Sequence, residues 1–254
     1  MKWTRHLNPP LFWTSIVFIG LAIIFAMSSL IDERTVLGIP LWYKPLKFAI
    51  SIAVYTITLA WLVPYASSNR VKNAVVYGTI LSMVIEIILI AMQAARGTLS
   101  HFNYEDVFGF VVYAVMGVFI VMAALLLIWL GVHLSRNRPQ SWTPSFALAV
   151  SLAILLSTVG SVVGGYMSTQ TGHTVGAPDG GPGLPLLSWS TLYGDWRVAH
   201  FIGLHALQLF LLVGWWTRVW RQAKGLLWLL FTIFSAFFTY VVWMTISGVS
   251  IFQG

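Results

Sequence analysis

VFGFVVYAVMGVFIVMAALLLIWLGVH, residues 107–133, decides the fold, because it carries no aspartate, glutamate, lysine or arginine from end to end. As a helix rising about 1.5 Å per residue it would be about 40 Å long. That exceeds the roughly 30 Å hydrocarbon core of a bilayer. A helix apolar on every face belongs in lipid or in the centre of a large core. Other predominantly apolar stretches lie near 11–30, 45–65, 74–95, 145–168, 198–219 and 226–248. With 254 residues, 58% of them hydrophobic, and a mean hydropathy of +0.84, the chain reads as all-α: one polytopic bundle of seven transmembrane helices.

The connecting segments carry the turn and charge signals that end each span: Asp32-Glu33, Ser67-Ser68-Asn69-Arg70, Arg96-Gly97, Arg136-Asn137-Arg138-Pro139 and Arg221-Gln222-Ala223-Lys224-Gly225. Lys and Arg of short loops are retained in the cytoplasm. Lys2, Arg5, Arg70, Lys72, Arg136, Arg138, Arg218, Arg221 and Lys224 fall on one side of the bundle. Arg34, Lys44, Lys47, Arg96 and Arg197 fall on the other, with every acidic residue except Glu86. The expected topology is N-terminus inside, C-terminus outside, in the cytoplasmic (inner) membrane. The first span follows Lys2 and Arg5 as a signal peptide would, but Ala26-Met27-Ser28 is a poor cleavage site, and the span reads as a retained helix.

Composition excludes several functions. The net charge of +7 is spread through short loops rather than along one face, so topology explains it better than nucleic acid does. No cysteine means no disulfide relay, no thiolate-ligated or covalently attached haem and no iron–sulfur cluster. With no strands expected, no phosphate-binding glycine loop is expected either, and no internal repeat supports an inverted-repeat transporter. Seven helices raise the rhodopsin and receptor readings, but those have the opposite orientation. The last span also lacks a lysine for a retinal Schiff base.

The chemistry gathers in QTGHTVGAPDGGPGLPLLSWSTLYGDWRVAHFIGLHALQ, residues 170–208, between the fifth and sixth spans. This Gly/Pro-rich segment is expected to fold back as an outer lid over a water-excluding site. Its His173, His200 and His205, with His101 of the preceding outer loop, are the candidate metal ligands. Imidazoles suit haem iron, copper or zinc. Gln208 lies near one turn below His205. Gly164 and Gly165 belong to two rows of small residues, Ser157, Ser161, Gly165 and Gly160, Gly164, Ser168, which suit close helix packing or a flat cofactor.

Glu86 is the one acid inside a span, where an unpaired carboxylate costs several kcal/mol. It must be neutral, paired or beside water. Gln93 lies two turns along the same face and Arg96 closes the helix. Glu86, Asp179 and Asp195 are the candidate catalytic carboxyls. Lys44, Lys47, Arg96 and Arg197 are candidates for an anionic group, with one lysine expected to snorkel to headgroups and the other to pair with Glu86, Asp179 or an anion.

The motifs WYKPLKF, QAARGTLSHFN and HTVGAPDGGPGLPLLSWSTLYGDWRVAHFIGLHALQ resemble those of an uncharacterised bacterial family of seven-helix multi-pass membrane proteins. That resemblance implies a class without an activity. The order GGYMSTQTGH, Pro-Asp loop, histidine-bearing helix is similar to one half of haem A synthase, a haem enzyme of the cytoplasmic membrane, although the His-Arg pair, the loop cysteines and the duplicated half are missing here.

These observations lead first to a haem- or metal-binding membrane protein, redox in function, using haem b or zinc, copper or iron and a small, quinone-like substrate. A zinc hydrolase using three histidines with Asp179 or Asp195, a proton-coupled or anion transporter using Glu86, Gln93, Gln208 and the lysines, and an assembly or sensory subunit are the alternatives.

Overall fold

The computed structural model describes residues 6–104 and 106–253. Lys2 and Arg5, which contributed to the expected topology, and Glu105 lie outside the described residues. Among those described, seven helices are long and apolar enough to cross a membrane, which makes the chain a multi-pass, all-α membrane protein. The fold divides into two compact units, Met1–Leu130 and Gly131–Gly254.

In the first unit, α1 (Pro9–Ile31) begins where Asn8 accepts a hydrogen bond from the Leu11 amide, and two prolines with preset φ open its first turn. Its buried residues Leu11, Ser15, Phe18, Ala22 and Phe25 alternate at four and three, a single seam facing α2. The remaining faces are apolar and open, as lipid requires. A two-stranded hairpin follows, β1 (Thr35–Val36) with β2 (Ile39–Pro40), turning on Leu37 and Gly38 at positive φ. Next come α2 (Tyr43–Leu62), extended by a 3-10 turn at Val63–Tyr65, and α3 (Asn69–Ala95). Small residues Ala49 and Ala53 let α2 approach α1 closely enough for Ser15 to donate to the Ala53 carbonyl at 2.9 Å. Phe18, Phe25, Ile52, Met83 and Ile87 fill the space between the three helices.

The helix α4 (Val107–Arg136) runs through the division between the units. The second unit contains α5 (Pro144–Ser168), α6 (Trp196–Thr217) and α7 (Ala223–Ile246). Thr143 caps α5 and Asp195 caps α6, each accepting from a first-turn amide. The axes of α5 and α6 cross at Gly160 and Gly203, where backbone touches backbone. At Gly160 the small residue serves close helix packing.

Four short strands correct the expectation of none. Two are β3 (Thr174–Val175) and β4 (Gly194–Asp195), which pair at the base of the Gly/Pro segment. Above them Leu184 and Trp189, and Thr191 and Pro182, close a second ring of backbone bonds. The segment is laced to the end of α7: Ser250 donates to the Ser190 carbonyl, Thr245 to that of Asp195 and Gln253 to that of Leu192. Trp189 packs against Phe201 and Phe252.

Candidate functional site

Two polar groupings stand out, one in each unit. In the first, α3 carries Thr79, Glu86 and Gln93 at intervals of seven residues. Seven steps of 100° fall 20° short of two turns, so the three lie on one face, about 10 Å apart. All are buried, Glu86 to 3% exposure. Both Thr79 Oγ1 and Glu86 Oε2 are buried without a hydrogen-bond partner among the described residues. Such atoms are rare and call for an explanation. Ser82, on the same side, is satisfied by its own helix through the Gly78 carbonyl.

Of the partners weighed for the lysines, the structure brings Lys44 to Glu86: the ammonium, half-buried at the start of α2, lies within electrostatic reach of the carboxyl. The other helical segments of this unit carry no competing charge. Residues 9–31 of α1 and 107–130 of α4 have none, and α3 has only Arg70 and Lys72 in its first turn. Lys47, one turn on from Lys44, is half-buried as well.

Gln93 and Arg96 serve the end of α3. Gln93 Oε1 accepts from Arg96 at 2.7 Å and from Thr98 at 3.2 Å, and its amide donates to the Leu99 carbonyl. The Arg96 guanidinium lies 4.4 Å over the Phe108 ring. His101 sits among aromatic rings, 5.7 Å from Phe48 and 5.6 Å from Tyr113. Beside it, Tyr104, Asp106, Val107 and Phe110 line an open groove of about 390 Å³. At the other side of this end, Asp32 accepts from Arg34 and from the Trp42 indole. Arg34 first, then Trp42, hold its carboxyl well below the usual carboxylate range. Residue spacing alone could have found Thr79; the Asp32–Arg34–Trp42 cluster had no such signal.

In the second unit each histidine has a separate partner. His173 donates from Nδ1 to Asp179 at 2.6 Å, and the amides of His173 and Thr174 donate to the same carboxylate. Burial raises the Asp179 carboxyl, but these bonds outweigh it and hold the group well below the usual range. His200 donates from Nδ1 to the Gly160 carbonyl at 2.8 Å, across the α5–α6 crossing, and its ring fills the notch over Gly164. His205 donates from Nδ1 to the Phe201 carbonyl of its own helix and stacks on the Phe201 ring at 3.9 Å. Gln208 is half-buried one turn further on. Asp195 is buried and wholly engaged: it accepts from the amides of Ser190 and Arg197 and from the Arg197 guanidinium at 2.6 Å.

Among the described residues no three His, Cys, Asp or Glu side chains gather so as to hold a metal ion. The expected four-histidine centre gains no support from this arrangement. The His200 imidazole lies against Gly164, whereas Gly165 faces open space. Asp195 and Arg197 fasten α6 to the loop, and Asp179 ties the loop to itself. No protein-family model, no curated protein and no solved structure matches the chain. The motif resemblances therefore rest on the quoted residues alone.

Proposed function

We propose that the protein is a proton-coupled transporter of the cytoplasmic membrane, with Glu86 as its proton-binding group and Lys44 as the counter-charge. One observation carries this: a carboxyl buried about two thirds of the way along a membrane-length helix, with one oxygen that has no hydrogen-bond partner among the described residues and with the Lys44 ammonium in electrostatic reach. An ionisable group at that depth is costly to keep unless it serves a path for protons or ions. Thr79, about 10 Å along the same face, extends the polar seam toward the end of α3 that the charge pattern assigns to the cytoplasm.

The test is infrared difference spectroscopy of the reconstituted protein during a pH titration. A carboxyl band that titrates in the wild type and is missing in Glu86→Gln, with the variant still folded, is the expected result. An identical titration in the variant refutes the reading.

The redox reading keeps one favourable observation. Carbonyl oxygens can only accept, so Nδ1 of His200 and of His205 carries the proton and Nε2 is the nitrogen with a lone pair, as an imidazole ligand to haem iron needs. Haem and metal content of the purified wild type and of His205→Ala tests it: no stoichiometric haem or metal removes it.

A further inference from the structure

We propose that the end of the second unit at which α6 turns into α7 binds the phosphate of an anionic phospholipid, through Arg218, Arg221 and Lys224 with Arg136 and Arg138 alongside. Such a site is independent of Glu86 and of any transported solute.

Residues 131–254 contain six Lys and Arg side chains but only two acids, Asp179 and Asp195. Both acids precede α6 and are engaged there, Asp195 with Arg197 and Asp179 with His173. The other five cations lie at the opposite end of that helix. Arg218 is its C-cap, Arg221 lies in the turn that follows, and Lys224 opens α7. Arg136 and Arg138 belong to the connection into α5. Packing sets that connection at the same end, because a Cβ on Gly214 would meet Ala149 and Phe146 in the first two turns of α5. None of the five makes an ion pair among the described residues. Nor can the two acids compensate them from a distance: the 22 residues of α6 rise about 33 Å, against a Debye length of about 8 Å at physiological salt. The counter-charge has to come from outside the unit.

The aromatic residues around these cations indicate which anion fits. Trp216, Trp220 and Trp228 are exposed, and the rings of Trp216 and Trp220 lie 5.0 Å apart. Exposed indoles beside a membrane-length helix mark the level of lipid headgroups, where phospholipid phosphates also lie. The Arg218 guanidinium stacks 4.4 Å over the Trp215 ring and donates to the Trp215 carbonyl, so its plane is held while further N–H groups face outward for a phosphate. Arg221 and Lys224 follow at intervals of three and are exposed. Along α7, Leu226, Leu229 and Ile233 are exposed on one face and offer a path for an acyl chain. A free phosphate would use the cations alone, whereas a lipid uses the cations, the indoles and the apolar face together.

The test uses full-length protein in detergent micelles, with phosphatidylglycerol and phosphatidylcholine of matched chains as competing ligands and native mass spectrometry to count bound lipid. Each Lys or Arg near an anionic surface strengthens association about fivefold, so three together should favour phosphatidylglycerol by at least about tenfold after screening. Replacing Arg218, Arg221 and Lys224 together by Gln should abolish the preference. Replacing the two arginines by lysine, which keeps the charge, should retain it, and Arg70→Gln with Lys72→Gln in the first unit should leave it intact. Millimolar inorganic phosphate should not displace the lipid. A wild type without headgroup preference, a preference that survives the triple Gln variant, or one lost equally on changing Arg70 and Lys72 overturns the site. Displacement by inorganic phosphate makes a soluble anion the ligand and overturns the lipid assignment. If the triple variant does not fold, the exposed single changes Arg221→Gln and Lys224→Gln decide: each should weaken phosphatidylglycerol binding about fivefold, and no change in either overturns the proposal.

Discussion

Gly160→Ala is expected to destabilise the second unit by about 1–3 kcal/mol, whereas Gly165→Ala, five residues along the same helix, should not. A Cβ on residue 160 would stand 2.5 Å from the Gly203 carbonyl carbon, 2.6 Å from the Leu204 nitrogen and 2.7 Å from the Gly203 Cα. All three are backbone, so no side chain can swing aside. The helices must part by roughly 1 Å to restore a contact near 3.5 Å, and overpacking of that kind costs about 1–3 kcal/mol. Parting also stretches the 2.8 Å bond from His200 to the Gly160 carbonyl, and an interhelical bond in lipid is worth about 0.6 kcal/mol, up to about 1.7. Against these stands about 1 kcal/mol gained from replacing glycine by alanine in a helix. At Gly165 nothing lies within 4 Å of the added methyl, so the propensity gain stands alone. Unfolding in mixed detergent micelles by graded denaturant, with helicity as the readout, measures both. Equal stability of the two variants, or a more stable Gly160→Ala, would refute the crossing. Gly164→Ala isolates the imidazole, since its Cβ would meet His200 Cε1 at 2.4 Å and displace only a side chain.

Asp179 supplies a pH dependence with a definite sign. Although burial opposes it, the His173 and Thr174 bonds hold its folded pKa below the ordinary carboxylate range. The stability it contributes is therefore present above about pH 4 and is lost as pH falls through that range toward the folded value. Hydrogen exchange around residues 172–179 should accelerate in acid in the wild type and already be fast at neutral pH in Asp179→Asn; matching protection in the two would count against it. Asp195→Ala should cost about 2–4 kcal/mol, about 1 from the cap and the rest from leaving Arg197 and the Ser190 amide unpaired, measured by the same denaturant series. A loss under about 0.5 kcal/mol would show that solvent or a rearranged loop replaces it. The charge-derived topology requires Gly180→Cys to label from outside and Ser67→Cys from inside, in a chain with no native thiol; the reverse pattern inverts the topology.

All seven helices were legible because lipid demands long apolar runs. Their ends were less so where the first turn is polar: α3 starts at Asn69, five residues before the hydropathy pattern predicts, because Ser68 caps it and Asn69, Arg70 and Lys72 reach out of the apolar zone. Glu86 and the small-residue rows of α5 were visible as anomalies, a lone acid and a glycine periodicity. Their partners were not. Which of three anions or acids Lys44 meets, and that Gly160 meets Gly203 rather than a cofactor, depend on the rotation and depth of a second helix. Spacing along one chain does not encode those. The histidines show the same limit: their number and position suggested convergence, yet His173, His200 and His205 each donate to a different carboxylate or carbonyl.

The bonds that join the Gly/Pro segment to both its neighbours have a kinematic result. Through Thr245, Ser250 and Gln253 on one side and β3–β4 and Asp195–Arg197 on the other, the start of α6, the whole loop and the end of α7 are coupled like links around a fixed pin. A flap on a free hinge could rise alone. This one can travel only with the two helix ends that hold it, so a displacement of either is transmitted to the Asp179–His173 turn as translation of the whole assembly.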